Sequence, residues 1–343
     1  MTRAAPPRPD DEMPDGPQED PIRIGVSSCL LGREVRFDGG HKRDPFLTDL
    51  LGPFVEWVPV CPEVEMGLGI PRETIRLERD EAGIHLVAPK SGADHTRAMR
   101  RWAAQRVDAL AGLGLAGYVL KKDSPSCGME RVKVYPRASE PGSGAASHAQ
   151  PTKDGRGVFA SVLMDALPLL PVEEEGRLHD PRLRENFVER LFAGRRLRRL
   201  FAGRWTVGDL VAFHTAHKLT LLAHGAEAYR ALGRLVAEAK ALPRAELRAR
   251  YERGFMEALR TIATTRKHTN VLQHAVGFFK RDLDDASRAE LVQLVDDYRR
   301  GLVPLVVPVT LIRHHARRTG AAYLLGQTYL EPHPKELMLR NHV

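Results

Sequence analysis

The three cysteines of this 343-residue chain are the side chains whose type and placement point most directly to chemistry. Each ends a short apolar run typical of a buried strand. The runs cover residues 22–28, 55–60 and 116–120, and they are followed by Cys29, Cys61 and Cys127, respectively. In an open parallel sheet, ligands bind beyond the carboxyl ends of the strands. The sequence therefore predicts that the three thiols converge in one crevice, rather than being three unrelated buried cysteines.

Three thiolates without a fourth suit a cofactor that keeps one coordination position open. Zinc bound by three cysteines and a histidine is one alternative, with His41 as the histidine. A 4Fe–4S cluster held by three cysteines is a second, although four is the usual number. A single cysteine nucleophile is a third, but it leaves the other two thiols without a role. The spacing does not choose among them, because no two of the cysteines form a short pair.

The segments that position these thiols indicate an α/β domain over residues 21–170. Short apolar runs alternate with helical segments, which is typical of a mostly parallel, Rossmann-like sheet. Gly- and Pro-rich stretches after Cys29 and Cys61 predict irregular loops. The other expected elements are helices over 94–113 and 157–167, a hairpin from 74–77 and 83–87, and a surface loop over 139–150.

From about residue 176 to residue 343 the pattern changes to long amphipathic helices with few strand signals, which predicts an all-α domain. Pro243, Pro304 and Pro308 mark helix starts, and several glycines mark breaks. The expected helices are 181–202, 206–223, 226–239, 244–265, 268–282, 286–300 and 305–318.

The net charge of +8 is divided unevenly between these two parts. Residues 1–175 carry 22 Lys and Arg against 27 Asp and Glu, whereas residues 176–343 carry 30 against 17, with ten of the fourteen histidines. Lys and Arg side chains supply RNA affinity by neutralising phosphates. The second domain is therefore predicted to bind a polyanion. The alternative is an Arg-rich surface without such a partner.

Three blocks of the first domain resemble the thiouracil desulfidase (TudS) family. They are Ser27-Ser28-Cys29-Leu30-Leu31-Gly32 with Val35-Arg36-Phe37-Asp38-Gly39, Cys61-Pro62-Glu63, and Lys121 followed by Ser124-Pro125-Ser126-Cys127-Gly128. The helical part resembles the YbgA-like domain in segments 214–218, 267–274 and 332–337. The order of the two domains resembles the RudS-type enzymes, which remove sulfur from 4-thiouridine in tRNA.

The resemblance implies that Cys29, Cys61 and Cys127 hold a 4Fe–4S cluster and leave one iron without a protein ligand. The thiocarbonyl sulfur would bind that iron. Glu63 would activate the attacking water, and Ser124 would orient the substrate or assist proton transfer. Uridine and hydrosulfide result without net redox change, so no electron donor is implied. Without the resemblance, Glu63 is equally well explained as a cap of the following turn.

Further contacts are predicted from charge. The candidate substrate-binding residues in the first domain are Arg36, Asp38, Lys121 and Lys122. The candidate tRNA-binding residues in the second domain are Arg195, Arg196, Arg198, Arg199, Lys218, Lys267, Arg313 and Arg317. The modified base of a folded tRNA is stacked inside. We therefore expect the helical domain to hold tRNA while the target base is flipped into the cysteine crevice.

Three histidines of the second domain recur at helical spacing and share a face: His214, His217 and His224. A metal site at this face lacks the acidic or thiol partners that usually complete one. We therefore expect RNA contact or an ordinary surface there.

The remaining features predict a cytoplasmic protein without a membrane partner. The first twenty residues are rich in Pro, Asp and Glu and lack an apolar signal segment, so we expect a disordered tail at 1–20. No run is apolar and long enough to span a bilayer, and three cysteines indicate reduced thiols. Two alternatives to a tRNA 4-thiouridine desulfidase remain. They are a desulfidase of free thiouracil or thio-nucleosides, and a non-catalytic, zinc-bound RNA-binding protein.

Overall fold

The computed structural model describes residues 21–137 and 150–343. Within them the chain divides into two compact units, Pro21–His179 and Asp180–Val343. The tail expected at 1–20 and the loop expected at 139–150, apart from Gln150, lie outside the described residues. No helix in the described part of the chain is long and apolar enough to cross a membrane.

The first unit is an α/β domain, as the alternating pattern predicts. Its strands are β1 (Arg23–Ser27), β2 (Glu56–Val60), β3 (Arg76–Asp80), β4 (Gly83–Val87), β5 (Gly117–Leu120), β6 (Val132–Pro136), β7 (Thr152–Gly155) and β8 (Val172–Glu174). Its helices are α1 (Pro62–Glu65), α2 (Thr96–Ala111) and α3 (Val158–Ala166). Shorter 3₁₀ or π turns cover Ser28–Leu31, Phe46–Leu51, Gly52–Phe54 and Arg177–His179.

The strands form two four-stranded sheets. The first has the order β2-β1-β5-β8, and all of its neighbours are parallel, which confirms the predicted parallel sheet. The second has the order β4-β3-β6-β7 and is mixed, because only β3 and β6 run parallel. The expected hairpin is β3 and β4, although its first strand begins at Arg76 rather than residue 74. The loop expected after Cys61 begins instead with the single helical turn α1.

The sequence of strand β1 is an apolar run because both faces of the strand are covered. Its Gly25 lies against Tyr118 of β5, and a Cβ atom at Gly25 would come within 2.1 Å of that ring. The Tyr118 ring lies 5.8 Å from the ring of Phe159 on α3, and Trp102 on α2 lies 5.6 Å from the same Phe159 ring. These contacts hold α3 against the sheet and α2 against α3.

The second unit is helical, as predicted. Its helices are α4 (Pro181–Phe201), α5 (Val207–Ala216), α6 (Lys218–His224), α7 (Ala226–Ala237), α8 (Arg244–Arg260), α9 (Thr265–Gly277), α10 (Asp285–Arg299), α11 (Val306–Thr319) and α12 (Ala322–Leu325). Shorter 3₁₀ turns cover Ala239–Ala241, Thr328–Leu330, Lys335–Leu337 and Leu339–Asn341.

Side-chain caps and one histidine set several helix boundaries in this unit. Asp180 accepts hydrogen bonds from two amides in the first turn of α4, and Thr206 forms a capping box with Asp209 at the start of α5. The helix expected over 206–223 is two helices. His217 breaks it, with φ −102° and ψ 8°, and its ring nitrogen Nδ1 donates to the Phe213 carbonyl at 2.8 Å.

Candidate active site

Three strand ends bring the cysteines to one cavity. Cys29 lies in the 3₁₀ turn that follows β1, Cys61 directly follows β2, and Cys127 lies in the loop after β5. Because β2 and β5 both pair in parallel with β1, the carboxyl ends of these strands share one edge of the sheet. All three cysteines are buried, and they line a cavity of about 400 Å³.

The loop that carries Cys127 is fixed by the first turn of α3. The amide of Gly157 donates to the Gly128 carbonyl at 2.8 Å, and the amide of Val158 donates to the Pro125 carbonyl at 3.1 Å. These amides belong to the helix end whose N–H groups have no partner within the helix. A Cβ atom at Gly157 would come within 2.8 Å of the Gly128 nitrogen, so glycine permits this close approach.

Glu63 projects from α1 toward the thiols. Its Oε1 accepts a hydrogen bond from the Ser126 hydroxyl, while its Oε2 lies 3.5 Å from Cys61 Sγ and 3.6 Å from Arg72 Nη2. The bond expected of a capping carboxylate is made by Glu65, whose Oε1 accepts from the Cys61 amide at 3.1 Å. Glu63 therefore lines the cavity instead of capping the turn.

Two serine hydroxyls extend from this carboxylate along the cysteine loop. Ser126 is fully buried, and its Oγ lies 3.0 Å from Ser124 Oγ. Ser124 Oγ also accepts a hydrogen bond from the Cys127 amide at 3.1 Å and lines the cavity. Glu63, Ser126 and Ser124 thus form a continuous hydrogen-bonded path beside the thiols.

Two residues of this site were missed by the sequence prediction. Ser126 stands inside the block that carries the family resemblance, so its position was a usable signal. Arg72 gave no local signal, because its contact with Glu63 depends on how the loop after α1 folds. The Arg72 guanidinium donates to the carbonyls of Val35 and Gly69 at 3.0 and 3.1 Å, which fixes it beside the carboxylate.

The three thiols are held in a state that resists ionisation. Burial raises the pKa of Cys29 to about 11 and that of Cys61 to about 12, and the charge of Glu63 adds to both shifts. Burial and then Glu63 raise the pKa of Cys127 well above its ordinary value. A nucleophilic cysteine needs the opposite shift, whereas coordination to a metal deprotonates a thiol outright. The site therefore favours thiols that bind a metal cofactor over a single nucleophile.

The donor set does not favour a single zinc ion. His41, the proposed fourth ligand, is exposed, lies outside the cavity lining, and accepts a hydrogen bond from the Arg43 amide at 3.2 Å. Across residues 21–137 and 150–343, no group of three or more His, Cys, Asp or Glu side chains is arranged to hold a metal ion. The three thiols that line the cavity supply the type of ligand that holds iron–sulfur clusters.

The predicted substrate contacts divide into two groups. Arg36, Lys121 and Lys122 line the cavity, whereas Asp38 is absent from its described lining. The Asp38 carboxylate lies 3.4 Å from Arg36 Nε, and the backbone amide two residues later lowers its pKa by donating a hydrogen bond at 3.1 Å. Asp38 therefore shapes the loop that presents Arg36. Lys121, which lines the cavity, forms an ion pair with Glu175.

Among the predicted RNA contacts, Lys267, Arg196 and Arg313 make specific contacts inside the helical unit. Lys267 donates to the carbonyl at the end of α6 at 2.6 Å. Arg196 donates to the Pro332 carbonyl at 2.6 Å, and Arg313 pairs with Glu331. The other five side chains are exposed or half-buried: Arg195, Arg198, Arg199, Lys218 and Arg317.

The histidines expected at the surface of the helical unit are buried. His214, His217 and His224 are 3%, 2% and 1% exposed, so the surface prediction was wrong. The acidic partner that the sequence did not reveal for these histidines lies on α4, where Glu189 Oε2 is 2.9 Å from His224 Nε2. The other His224 nitrogen, Nδ1, donates to the Thr261 carbonyl at 2.5 Å.

Glu189 belongs to a buried polar cluster with His224, Glu185 and Arg340. Arg340 Nε donates to Glu185 at 3.0 Å, and its Nη2 lies 3.8 Å from Glu189. Burial would raise the pKa of Glu189, but the charge and hydrogen bond of His224, with the charge of Arg340, lower it to about 2. Burial and then the charge of Glu189 raise the pKa of Glu185. The two pKa shifts therefore favour ionisation of Glu189 over ionisation of Glu185.

Comparison with known proteins matches each unit separately. The 2-thiouracil desulfurase family model matches residues 24–175, and the model named protein of unknown function (DUF1722) matches residues 218–334. The uncharacterized protein YbgA of Escherichia coli (strain K12) is 35% identical over 161 residues, which are 47% of this chain and 95% of YbgA. The uncharacterized protein YbbK of Bacillus subtilis (strain 168) is 32% identical over 110 residues, which are 31% of this chain and 72% of YbbK.

Among solved structures, the 4Fe-4S-dependent thiouracil desulfidase TudS is 29% identical and covers 46% of this chain and 93% of its own, with a TM-score of 0.34. The sequence matches and the fold define a two-domain protein, with a cysteine-bearing α/β domain followed by a helical domain. The chain belongs to the 2-thiouracil desulfurase family and carries a YbgA-like DUF1722 domain at its carboxyl end.

Proposed function

We propose that this protein is a desulfidase that converts 4-thiouridine in tRNA to uridine by hydrolysis. One observation carries the proposal: Cys29, Cys61 and Cys127 line a single cavity together with Glu63 and Ser124. Membership of the 2-thiouracil desulfurase family supports removal of sulfur from a thiolated uracil.

The proposed cofactor is a 4Fe–4S cluster held by the three cysteines. The chain contains no fourth cysteine, so one iron would have no thiolate from this chain. When bound, such a cluster supplies a Lewis-acidic iron with affinity for sulfur. The buried, neutral thiols are suited to this role because they ionise only when a metal replaces their protons.

The chain's own groups would hold and move the protons of the reaction. Ser126 occupies Oε1 of Glu63, which leaves Oε2 to take a proton from the attacking water. Arg72 lies 3.6 Å from Oε2 and holds the carboxylate in place. Ser124, which lines the cavity, would orient the base. Water supplies the oxygen of uridine, the sulfur leaves as hydrosulfide with a proton, and no electron donor is needed.

The charge of the cavity supports a phosphorylated substrate over a free base. Its lining contains five basic residues against three acidic ones. Within the described part of the chain, the basic residues Lys42 and Lys122 form no ion pair with a carboxylate. Unpaired ammonium groups at the edge of a base-sized cavity are suited to the phosphates that flank a nucleoside in RNA.

The decisive experiment is anaerobic incubation of reconstituted enzyme with tRNA. Mass spectrometry should show loss of 4-thiouridine and a matching gain of uridine, with one hydrosulfide released for each base converted. Iron and sulfide analysis should give about four of each per chain. Cys127→Ala should lose the iron and all activity, while the exposed control His41→Ala keeps both. Activity on free 2-thiouracil or 4-thiouridine but not on tRNA would overturn the RNA substrate. A colourless zinc protein would overturn the desulfidase proposal itself.

A further inference from the structure

Three cavities of the helical unit differ sharply in charge. The cavity between α9 and α10 contains Arg288 and Arg299, which pair with Asp285 and Asp296 at 2.7 and 2.6 Å. The cavity between α10 and α11 is mostly apolar. The third, of about 600 Å³, is lined by α5, α6, α7 and the turn after α7, and we name it the α5–α7 cavity. Only the α5–α7 cavity, among these three, combines several cations with no acidic lining residue.

The cations of the α5–α7 cavity are Lys218, Arg230 and Lys240. None of them forms an ion pair among residues 21–137 and 150–343, in contrast to the arginines of the α9–α10 cavity. Three like charges around one concave surface raise the local potential and attract an anion. The volume falls in the range of small-molecule and nucleotide sites, roughly 300–1,000 Å³.

The wall of the α5–α7 cavity is suited to a flat, partly apolar group. Tyr229, Val207, Val211 and Val236 line it beside the cations. Nucleobases stack on aromatic side chains without regard to sequence, while basic residues follow the phosphates. The combination of a phenol ring, valine side chains and unpaired cations therefore fits one nucleotide.

His214 adds a buried polar group to this cavity. Its Nδ1 lies 3.1 Å from the Tyr251 hydroxyl, which orients the ring. Burial and then the charge of Lys218 lower the pKa of His214 to about 4, so its imidazole is neutral near pH 7. Its Nε2 lies 3.9 Å from the place where Gly233 would carry a Cβ atom, and Gly233 also lines the cavity. The absent side chain leaves room for a ligand beside the neutral imidazole.

We propose that the α5–α7 cavity binds one nucleotide of the tRNA substrate. The phosphate would lie against Lys218, Arg230 and Lys240, and the base would lie against Tyr229 with His214 at its polar edge. This inference rests on the proposed function, because tRNA is the substrate there. It assigns RNA binding to one concave site rather than to the whole basic surface of the unit.

The test compares two triple variants of the full-length reconstituted protein that remove the same number of charges. Lys218→Ala/Arg230→Ala/Lys240→Ala changes the α5–α7 cavity, and Lys280→Ala/Arg288→Ala/Arg299→Ala changes the α9–α10 cavity. The first should weaken tRNA binding on the order of tenfold and lower the slope of log affinity against log salt by about 1 or more. The second should stay within about twofold of wild type. Equal losses, or no loss in the first, would overturn the inference.

A space-filling variant tests the cavity without changing charge. Gly233→Leu should weaken tRNA binding and abolish binding of uridine 5′-monophosphate by calorimetry. Inorganic phosphate is the second probe, and it should bind more weakly than the nucleotide because it lacks the base. If wild type does not bind tRNA, the proposed function fails, and the cavity is then judged by uridine 5′-monophosphate alone. No binding of that probe to wild type, or equal binding to Gly233→Leu, would overturn the nucleotide site.

Discussion

Both units of the molecule bury carboxylates, but they surround them differently. In the helical unit, Glu189 is 3% exposed in its side chain and meets two cationic partners, His224 and Arg340. In the α/β unit, Glu63 lines the same cavity as the three thiols, and a cationic partner, Arg72, lies 3.6 Å away. A buried carboxylate enclosed by cations is already paired, and removing it leaves charge uncompensated, whereas one that faces a cavity is available for reaction. Burial alone therefore does not identify a catalytic carboxylate.

The first test of this comparison is Glu63→Gln. The amide keeps the shape of the side chain but cannot take a proton, so hydrosulfide release should fall by about 10²–10⁴-fold with the cluster retained. Glu73→Gln is the matched control. Glu73 lines the same cavity, but its carboxylate already accepts hydrogen bonds from the Ser91 hydroxyl and amide at 2.7 and 2.9 Å. Rates of hydrosulfide release and iron content would be measured for both variants. Equal rates would show that Glu63 has no catalytic role.

The second test makes the same change, from a carboxylate to an amide, in the helical unit. Glu189→Gln removes the buried carboxylate that pairs with His224, whereas Arg340 keeps Glu185 at 3.0 Å. Breaking this buried pair should cost about 3–5 kcal/mol of unfolding free energy. Glu185→Gln, one turn earlier on α4, should cost less, because the raised pKa of Glu185 brings it closer to its neutral form. Urea unfolding followed by circular dichroism measures both. A larger loss in Glu185→Gln would mean that the charge has been assigned to the wrong carboxylate.

The third test is the pH dependence of stability. Burial lowers the pKa values of His217 and His268 to about 3 from 6.5. Below pH 6.5 these two histidines therefore bind protons in the unfolded chain but stay neutral in the folded chain. Each histidine should lower the unfolding free energy by about 1.4 kcal/mol per pH unit as the pH falls toward 3.

Glu189 adds to the same trend at lower pH. Its contribution is present above its unfolded pKa of 4.5 and is lost as the pH falls through about 2. Urea unfolding at pH 6.5, 5.5 and 4.5 measures the slope, and His217→Gln should reduce it by one proton. An unchanged slope in that variant would show that His217 is not buried as a neutral ring.

The smallest expected effect concerns the hydroxyl path of the α/β cavity. Ser126→Ala removes the donor to Glu63 Oε1 and breaks the connection to Ser124. A single hydrogen bond contributes roughly 0.5–1.5 kcal/mol, so kcat should fall about two- to tenfold with little change in KM. A change confined to KM would indicate that Ser126 positions the substrate and not the carboxylate.

The strands that carry cysteines were predictable because each is a continuous apolar run that ends in a polar turn. The strands of the second sheet were harder to predict, for a physical reason. Strand β7 consists of Thr-Lys-Asp-Gly and is mostly exposed, so it has no hydrophobic period to detect. Its pairing with β6 comes from backbone hydrogen bonds, which leave no mark on composition.

The candidate sites show the same limit. Helical spacing placed His214, His217 and His224 on one face, but a single helix cannot show what packs against that face. Glu189 lies 35 residues before His224 in the chain, and Arg340 lies 155 residues after Glu185. Contacts across such separations are set by how helices pack together, and one sequence does not show this.

The backbone bonds between the first turn of α3 and the Cys127 loop have a consequence for repair. They are donated by the amides of Gly157, Val158 and Ala160, so the polypeptide shapes the loop without help from whatever its thiol binds. If oxygen destroyed the proposed cluster, the protein would lose iron and sulfide, and the Cys127 loop would keep its shape. Recovery would then require delivery of iron and sulfide, and no refolding of the chain.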